Sequence, residues 1–145
     1  MIFVTADSCR AQLERLTQML VSAFPGSTVY QHTDLCRAQH DALNNKVDAV
    51  LLEAETGKAN GLGFMRVLRR QKPNIPVFIT ARTEDFREAA EEAGANGCFV
   101  LPDSEQQLLD AIRLTKTRGT ALRKVMASTL SYWMIRRLCT CRIRT

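Results

Sequence analysis

Two rhythms of apolar and polar residues alternate along residues 1–115. Ile2–Ala6 is a short apolar run, which predicts a buried strand. From Cys9 to Ser22, apolar Leu13, Leu16 and Leu20 recur at three- and four-residue spacing, the face of a helix. Pro25-Gly26 breaks the chain before a weaker strand, Ser27–Gln31. Asp34–Asn44 is helical and ends at Asn44-Asn45. Val47–Glu53 (VDAVLLE) is almost wholly apolar, as a central parallel strand covered on both faces requires. Gly57–Gly63 predicts a loop and Phe64–Arg70 a helix. Pro73 and Pro76 bracket a turn into a strand, Val77–Thr80. Glu84–Ala93 is helical and Gly94 ends it. Cys98–Leu101 is a fifth strand, closed by Pro102, with Ser104 as N-cap of a helix from Glu105.

Strands alternating with helices in this way predict an open parallel α/β sheet. Right-handed crossovers make it doubly wound. In such sheets the functional crevice lies beyond the carboxyl ends of the strands. Asp7, Ser8, Glu53, Thr80 and Leu101 are therefore the residues to examine.

The strand-end residues resemble those of response-regulator receiver domains over roughly residues 1–115. VDAVLLE resembles the family's strand that ends in the phosphorylated aspartate, here Glu53. Asn60-Gly61-Leu62 falls where the family has Asp-Gly-Leu. IPVFITA is similar to the segment whose Thr or Ser contacts the phosphoryl group, here Thr80. Ala93-Gly94-Ala95-Asn96-Gly97 resembles a further family motif, and Leu101-Pro102 falls on its Lys-Pro. The resemblance implies a flavodoxin-like five-stranded sheet of order 2-1-3-4-5 with an extended C-terminal helix.

The implied chemistry departs from the family at three places. A working receiver uses an acceptor aspartate, an acidic pair that holds Mg²⁺, a Thr or Ser, and a lysine. Here the acceptor position is Glu53, the lysine position is Leu101, and the acidic pair is Asp7-Ser8. A one-residue slip would make that pair Ala6-Asp7; either register leaves one acid. Without the lysine, Asp7 and Glu53 keep the pocket's formal charge at the family's −2 while metal ligands are lost. Mg²⁺ binding is thus expected to be weak or absent, with Asp7 and Glu53 as its only ligands if it is retained. Three roles stand open for Glu53: a partial mimic of the phosphorylated state, part of a pocket for another ligand, or a solvated strand end. Cys98 occupies the position where the family often carries a rotating Tyr or Phe, and Phe99, on the opposite face, reads as core.

Charge divides the chain. Residues 1–115 carry 12 Lys/Arg and 15 Asp/Glu, a net of −3, whereas residues 116–145 carry eight Lys/Arg and no acid. This predicts a receiver-like domain over 1–117 and a basic amphipathic helical tail, or a linker to an effector domain, over 118–145. Leu122, Val125, Met126, Leu130, Trp133, Met134 and Leu138 lie at helical spacing in that tail. The closing CTCRIRT suggests a truncated chain. Five cysteines, with Cys139 and Cys141 only a C-x-C, predict reduced thiols and not a zinc site. The start, MIFVTADS, lacks a signal-peptide pattern, so a cytoplasmic protein is expected.

The expected function is signal transduction and transcriptional regulation through protein contacts, without phosphorylation and without enzymatic activity. Homodimerisation is among the expected contacts. By resemblance, the contact surface is the fourth helix, fifth strand and fifth helix, including Arg87, Glu91 and Arg113. One alternative is a phosphoryl-accepting receiver partnered by a histidine kinase. Another is a nucleic-acid-binding regulator acting through the basic tail.

Overall fold

The computed structural model describes residues 1–56 and 59–125. By its internal contacts the chain divides into two units, Met1–Ile112 and Arg113–Thr145. The first unit carries the sheet.

Its strands are β1 (Ile2–Ala6), β2 (Thr28–His32), β3 (Ala49–Glu53), β4 (Val77–Ala81) and β5 (Gly97–Val100). They pair in parallel in the order β2-β1-β3-β4-β5. The crossover helices are α1 (Arg10–Ala23), α2 (Leu35–Asn44), α3 (Gly61–Gln71) and α4 (Arg87–Glu92), and α5 (Glu105–Val125) follows β5. This is the doubly wound, flavodoxin-like arrangement expected from the apolar pattern.

Strand periodicity sorts the apolar residues onto two faces. Val4, Val50, Leu52 and Ile79 pack with Leu35 and Ala38 of α2, Phe64, Met65 and Leu68 of α3, and Ala90 of α4. Their neighbours Phe3, Leu51 and Phe78 pack with Leu16 and Leu20 of α1 and Leu108 and Ile112 of α5. Every residue of β3 and β4 is buried, whereas edge strand β2 is half exposed. Each fully buried Leu, Ile or Phe contributes roughly 1.5–3 kcal/mol, so these two strands fix the register of the rest.

Local chemistry sets the element ends. Asp34 caps α2, its carboxylate accepting from the Cys36 N–H at 2.9 Å. Gly94 takes a positive φ of 94° just after α4, and Ala95 N–H returns to the Ala90 carbonyl. That left-handed turn suits glycine because a Cβ there would be strained. The Ser104 carbonyl accepts the first bond of α5 from Leu108 N–H.

Three segments differ from the pattern-based expectation. The third strand starts at Ala49, two residues late; Asp48 just before it bonds Ile2 twice, its N–H donating to the Ile2 carbonyl at 2.8 Å and its carboxylate accepting from Ile2 N–H at 2.7 Å. The expected loop 57–63 is shorter. Glu55–Thr56 pairs with Ala59–Asn60 in a small antiparallel ribbon, and α3 begins at Gly61. The fourth helix is split, a 3₁₀ turn at Glu84–Phe86 preceding α4. In the second unit α5 continues to Val125; the rest of the expected tail helix, 126–138, lies outside the described residues.

At the amino ends of β4 and β5, one side chain ties three segments. Arg69 donates to the carbonyls of Gly94 at 3.0 Å, Pro73 at 3.1 Å and Ile75 at 2.5 Å, and to Asn96 Oδ1 at 2.6 Å. Asn96 Oδ1 also accepts from Val77 N–H. Lys72 similarly donates to the Ala42 and Asn45 carbonyls at the end of α2. A planar, forked guanidinium serves several acceptors that a single ammonium cannot. Arg69→Ala is therefore expected to destabilise the fold by about 2 kcal/mol, and Arg69→Lys to recover only part of it, as read by urea denaturation.

Candidate functional site

The strands deliver their last residues to one crevice. Asp7 and Ser8 follow β1, Glu53 ends β3, Thr80 pairs with Glu53 in register on β4, and Leu101 follows β5. Asp7, Glu53, Thr80 and Leu101 line one hollow of about 270 Å³, together with Cys9, Gln12, Ala81 and Arg82. An adjoining hollow shares Glu53, Ala81 and Arg82 and adds Ser8, Thr83, Asp85 and Phe86. Glu53 is the carboxylate common to both.

Three polar side chains at this mouth are deeply buried: Asp7 at 3% exposure, Glu53 at 7% and Thr80 at 3%. Buried carboxylates require hydrogen-bond donors, and the loop after β1 provides them. Ser8 donates twice to Glu53 Oε2, from its N–H at 3.0 Å and its hydroxyl at 2.9 Å. Cys9 N–H donates to Asp7 Oδ1 at 2.7 Å. Asp7 and Ser8 thus both belong to the Glu53 environment, while Ala6 is a core residue. The Thr80 hydroxyl is directed to the Leu52 carbonyl, at 3.4 Å.

Gly61 explains how α3 reaches the site. A Cβ at this position would collide with the Glu53 carbonyl oxygen. Only glycine lets the helix start so close to the strand end, which is the physical role of the Gly in Asn60-Gly61-Leu62.

Burial pushes the Asp7 carboxyl up to about 6. The Cys9 N–H opposes this, the charge and hydrogen bond of Glu53 add to it, and the positive Arg82 pulls it back. Arg82 is the site residue that the family pattern did not reveal. It follows β4 directly, two residues after Thr80, and lines both hollows. Its position at the end of an apolar strand was the available signal. It adds a positive charge to the crevice beside Asp7 and Glu53, and Asp85 adds a further carboxylate to the adjoining hollow.

The remaining candidates lie elsewhere or play apolar parts. Cys98 is 4% exposed among the core residues facing α2, α3 and α4, and burial raises its thiol pKa. Phe99 packs on the opposite core, its ring 6.1 Å from that of Phe78. Leu101 is half-buried against the same core, and its peptide bond to the exposed Pro102 is cis. No cation therefore comes from position 101.

A hard cation such as Mg²⁺ takes near-octahedral oxygen ligands. Two carboxylates face the crevice, and Ser8 and Cys9 already donate to one oxygen of each. Among the described residues no group of three or more His, Cys, Asp or Glu is gathered to hold a metal ion. What the described residues offer a cation here is thus two carboxylates with one oxygen of each already engaged.

The raised Asp7 pKa has a definite sign for stability. The folded carboxyl binds its proton more tightly than the unfolded one, whose pKa is near 3.8. Ionisation therefore costs stability as pH rises from about 4, and the full cost is present above about 6. Asp7→Asn keeps the acceptor for Cys9 and removes that cost. It is expected to stabilise the protein by about 1–2 kcal/mol near pH 8, allowing for solvent screening, and to have little effect below about pH 4. Denaturant titrations at the two pH values measure the difference.

Comparison with known proteins agrees with this arrangement. The model of the response regulator receiver domain matches residues 3–113. A curated relative, the glycerol metabolism activator of Pseudomonas putida, is 32% identical over 106 residues, covering 68% of this chain and 46% of that protein. The chain thus spans about half the length of the relative. A receiver domain protein from Clostridium thermocellum superposes with a TM-score of 0.73 at 21% identity, over 83% of this chain and 98% of the other. The receiver domain of a sensor histidine kinase from Pseudomonas aeruginosa, which has a magnesium ion coordinated in its active-site cleft, gives 0.68 at 20% identity, over 77% and 93%. These structural likenesses concern the fold. From the sheet order, the strand-end crevice and the match over residues 3–113, the chain belongs to the response regulator receiver domain family.

Proposed function

We propose that this receiver is an atypical signalling module that acts through protein contacts and is not phosphorylated at Glu53. Receivers are signalling modules, and that much comes with the family. The observation that carries the narrower reading is the state of the acceptor carboxylate. Glu53 is buried, and its Oε2 already accepts two hydrogen bonds from Ser8. A nucleophilic carboxylate must present an oxygen to the incoming phosphorus, and Ser8 engages one of the two; the transferring group also needs cations around it. Leu101 supplies none, and Mg²⁺ is held weakly or not at all under this reading. Arg82 is the positive residue among those lining the two hollows, and it stands exposed at their rim.

The proposed organisation is a receiver over 1–117 followed by a basic tail or linker over 118–145. The proposed contact surface in the first unit includes α4 and β5, with Arg87 and Glu91, and a second copy of the chain or an effector domain is its partner; Arg113, in the second unit, is a further contact residue proposed from the family resemblance. Arg87 is held by Glu84 at 2.6 Å on the exposed start of α4. The Pseudomonas putida relative is an activator, which favours a regulatory output in the cytoplasm. DNA contact then comes through an effector domain or the basic tail. Among the described residues no helix is long and apolar enough to cross a membrane.

Incubation of the full chain with acetyl phosphate and Mg²⁺, followed by intact-mass measurement, tests the central point. The expected result is an unchanged mass. A phosphoryl adduct mapped to Glu53 would overturn it in favour of a receiver served by a histidine kinase.

A further inference from the structure

Ser8 occupies a position with two consequences for the crevice. Where the family has a carboxylate, it has a hydroxyl, and that hydroxyl points at Glu53. The loop after β1 also turns the Ser8 N–H to the same oxygen. Ser8 and Glu53 lie 45 residues apart in the chain, so the pair joins the first loop to the end of the central strand.

We propose that Ser8 is a positioning residue that clamps Glu53 in place of a metal ion, so that the receiver crevice is complete without a cation. The proposal rests on the non-phosphorylated reading above and deepens it by naming the device.

The chemistry is one of competing uses for the same lone pairs. A carboxylate oxygen has two in-plane acceptor directions. At Glu53 Oε2 two donors from one residue use them, and at Asp7 Oδ1 the Cys9 N–H uses one. A cation seeking those oxygens must first displace Ser8, and among the described residues no group of three or more His, Cys, Asp or Glu is gathered to receive it. Charge-assisted bonds of this kind are stronger than neutral ones; here they are partly buried, with Ser8 itself at the exposed rim. Among the described residues no buried side-chain nitrogen or oxygen lacks a hydrogen-bond partner. The clamp also has a rigid footing. The Glu53 carbonyl is pressed by α3 at Gly61, and Ala54 N–H is bonded to the Thr80 carbonyl. Glu53 is therefore held through both its side chain and its backbone, and the loop carrying Ser8 is held with it.

Three variants of the full chain separate this role from a bystander hydroxyl. Ser8→Asp removes the hydroxyl donor and adds an oxygen ligand. Isothermal titration with MgCl₂, with no phosphoryl donor present, is expected to show at least about tenfold tighter Mg²⁺ binding than the unaltered chain. Should Ser8→Asp fold poorly alone, a rise in Tm with added Mg²⁺ reads the same gain. Ser8→Ala and Glu53→Gln, singly and together, are expected to give non-additive Tm shifts, as two contacting groups do. Ser8→Thr keeps the hydroxyl and is expected to match the unaltered chain in both measurements.

Saturable Mg²⁺ binding by the unaltered chain, as tight as that of Ser8→Asp, would overturn the clamp. So would additive shifts in the Ser8→Ala and Glu53→Gln pair. A phosphoryl adduct formed with acetyl phosphate tells against the functional reading instead, and it is scored in a different experiment. The two failures are therefore distinguishable.

Discussion

The burial of β3 on both faces is the constraint from which the rest of the site follows. A strand with no exposed residue has to be covered on both faces, and Leu52 packs into one core cluster while Leu51 packs into the other. Its last residue is carried to the same depth as its neighbours. Placing a carboxylate there forces the surroundings to provide donors, because an uncompensated buried charge is costly. Ser8 meets that demand at Glu53, and the Cys9 N–H meets it at Asp7. The pocket's polarity is thus a response to where the sheet ends.

Much of the fold was legible because its elements are strongly periodic. The run VDAVLLE is too apolar for a one-sided strand, and Leu13, Leu16 and Leu20 mark one helix face without ambiguity. The places that escaped were those set by individual contacts. Asp48 adds a carboxylate acceptor for Ile2 N–H beside its own backbone bond to the Ile2 carbonyl, a contact no hydropathy pattern records. The ribbon at 55–56 and 59–60 is too short to have a period. The split before α4 follows a segment rich in small and acidic residues, which sustains a helix in either of two geometries.

The candidate site was legible in part for a different reason. Asp7, Ser8, Glu53, Thr80 and Leu101 were reachable because strand ends in a parallel sheet converge, so position alone nominated them. What each side chain does there was not. A sequence does not show that the Ser8 hydroxyl faces Glu53, nor that Thr80 turns toward Leu52. Arg82 matches no residue of the family pattern quoted above, so no motif pointed to it. Charge in a crevice comes from any element that borders it, and the residue after β4 borders this one. Cys98 was nominated through a motif and proves to face the core beneath α2, α3 and α4.

Arg69 and Lys72 tie the chain at the amino ends of β4 and β5 and at the close of α2, the end of the sheet remote from Glu53. Cohesion and chemistry are thus lodged at opposite poles of the same strands. A change of side chain at Ser8 or Leu101 leaves every bond made by Arg69 and Lys72 in place. The ties at one pole and the hydrogen-bond donors at the other are separate sets of residues, so each can be altered without touching the contacts of the other.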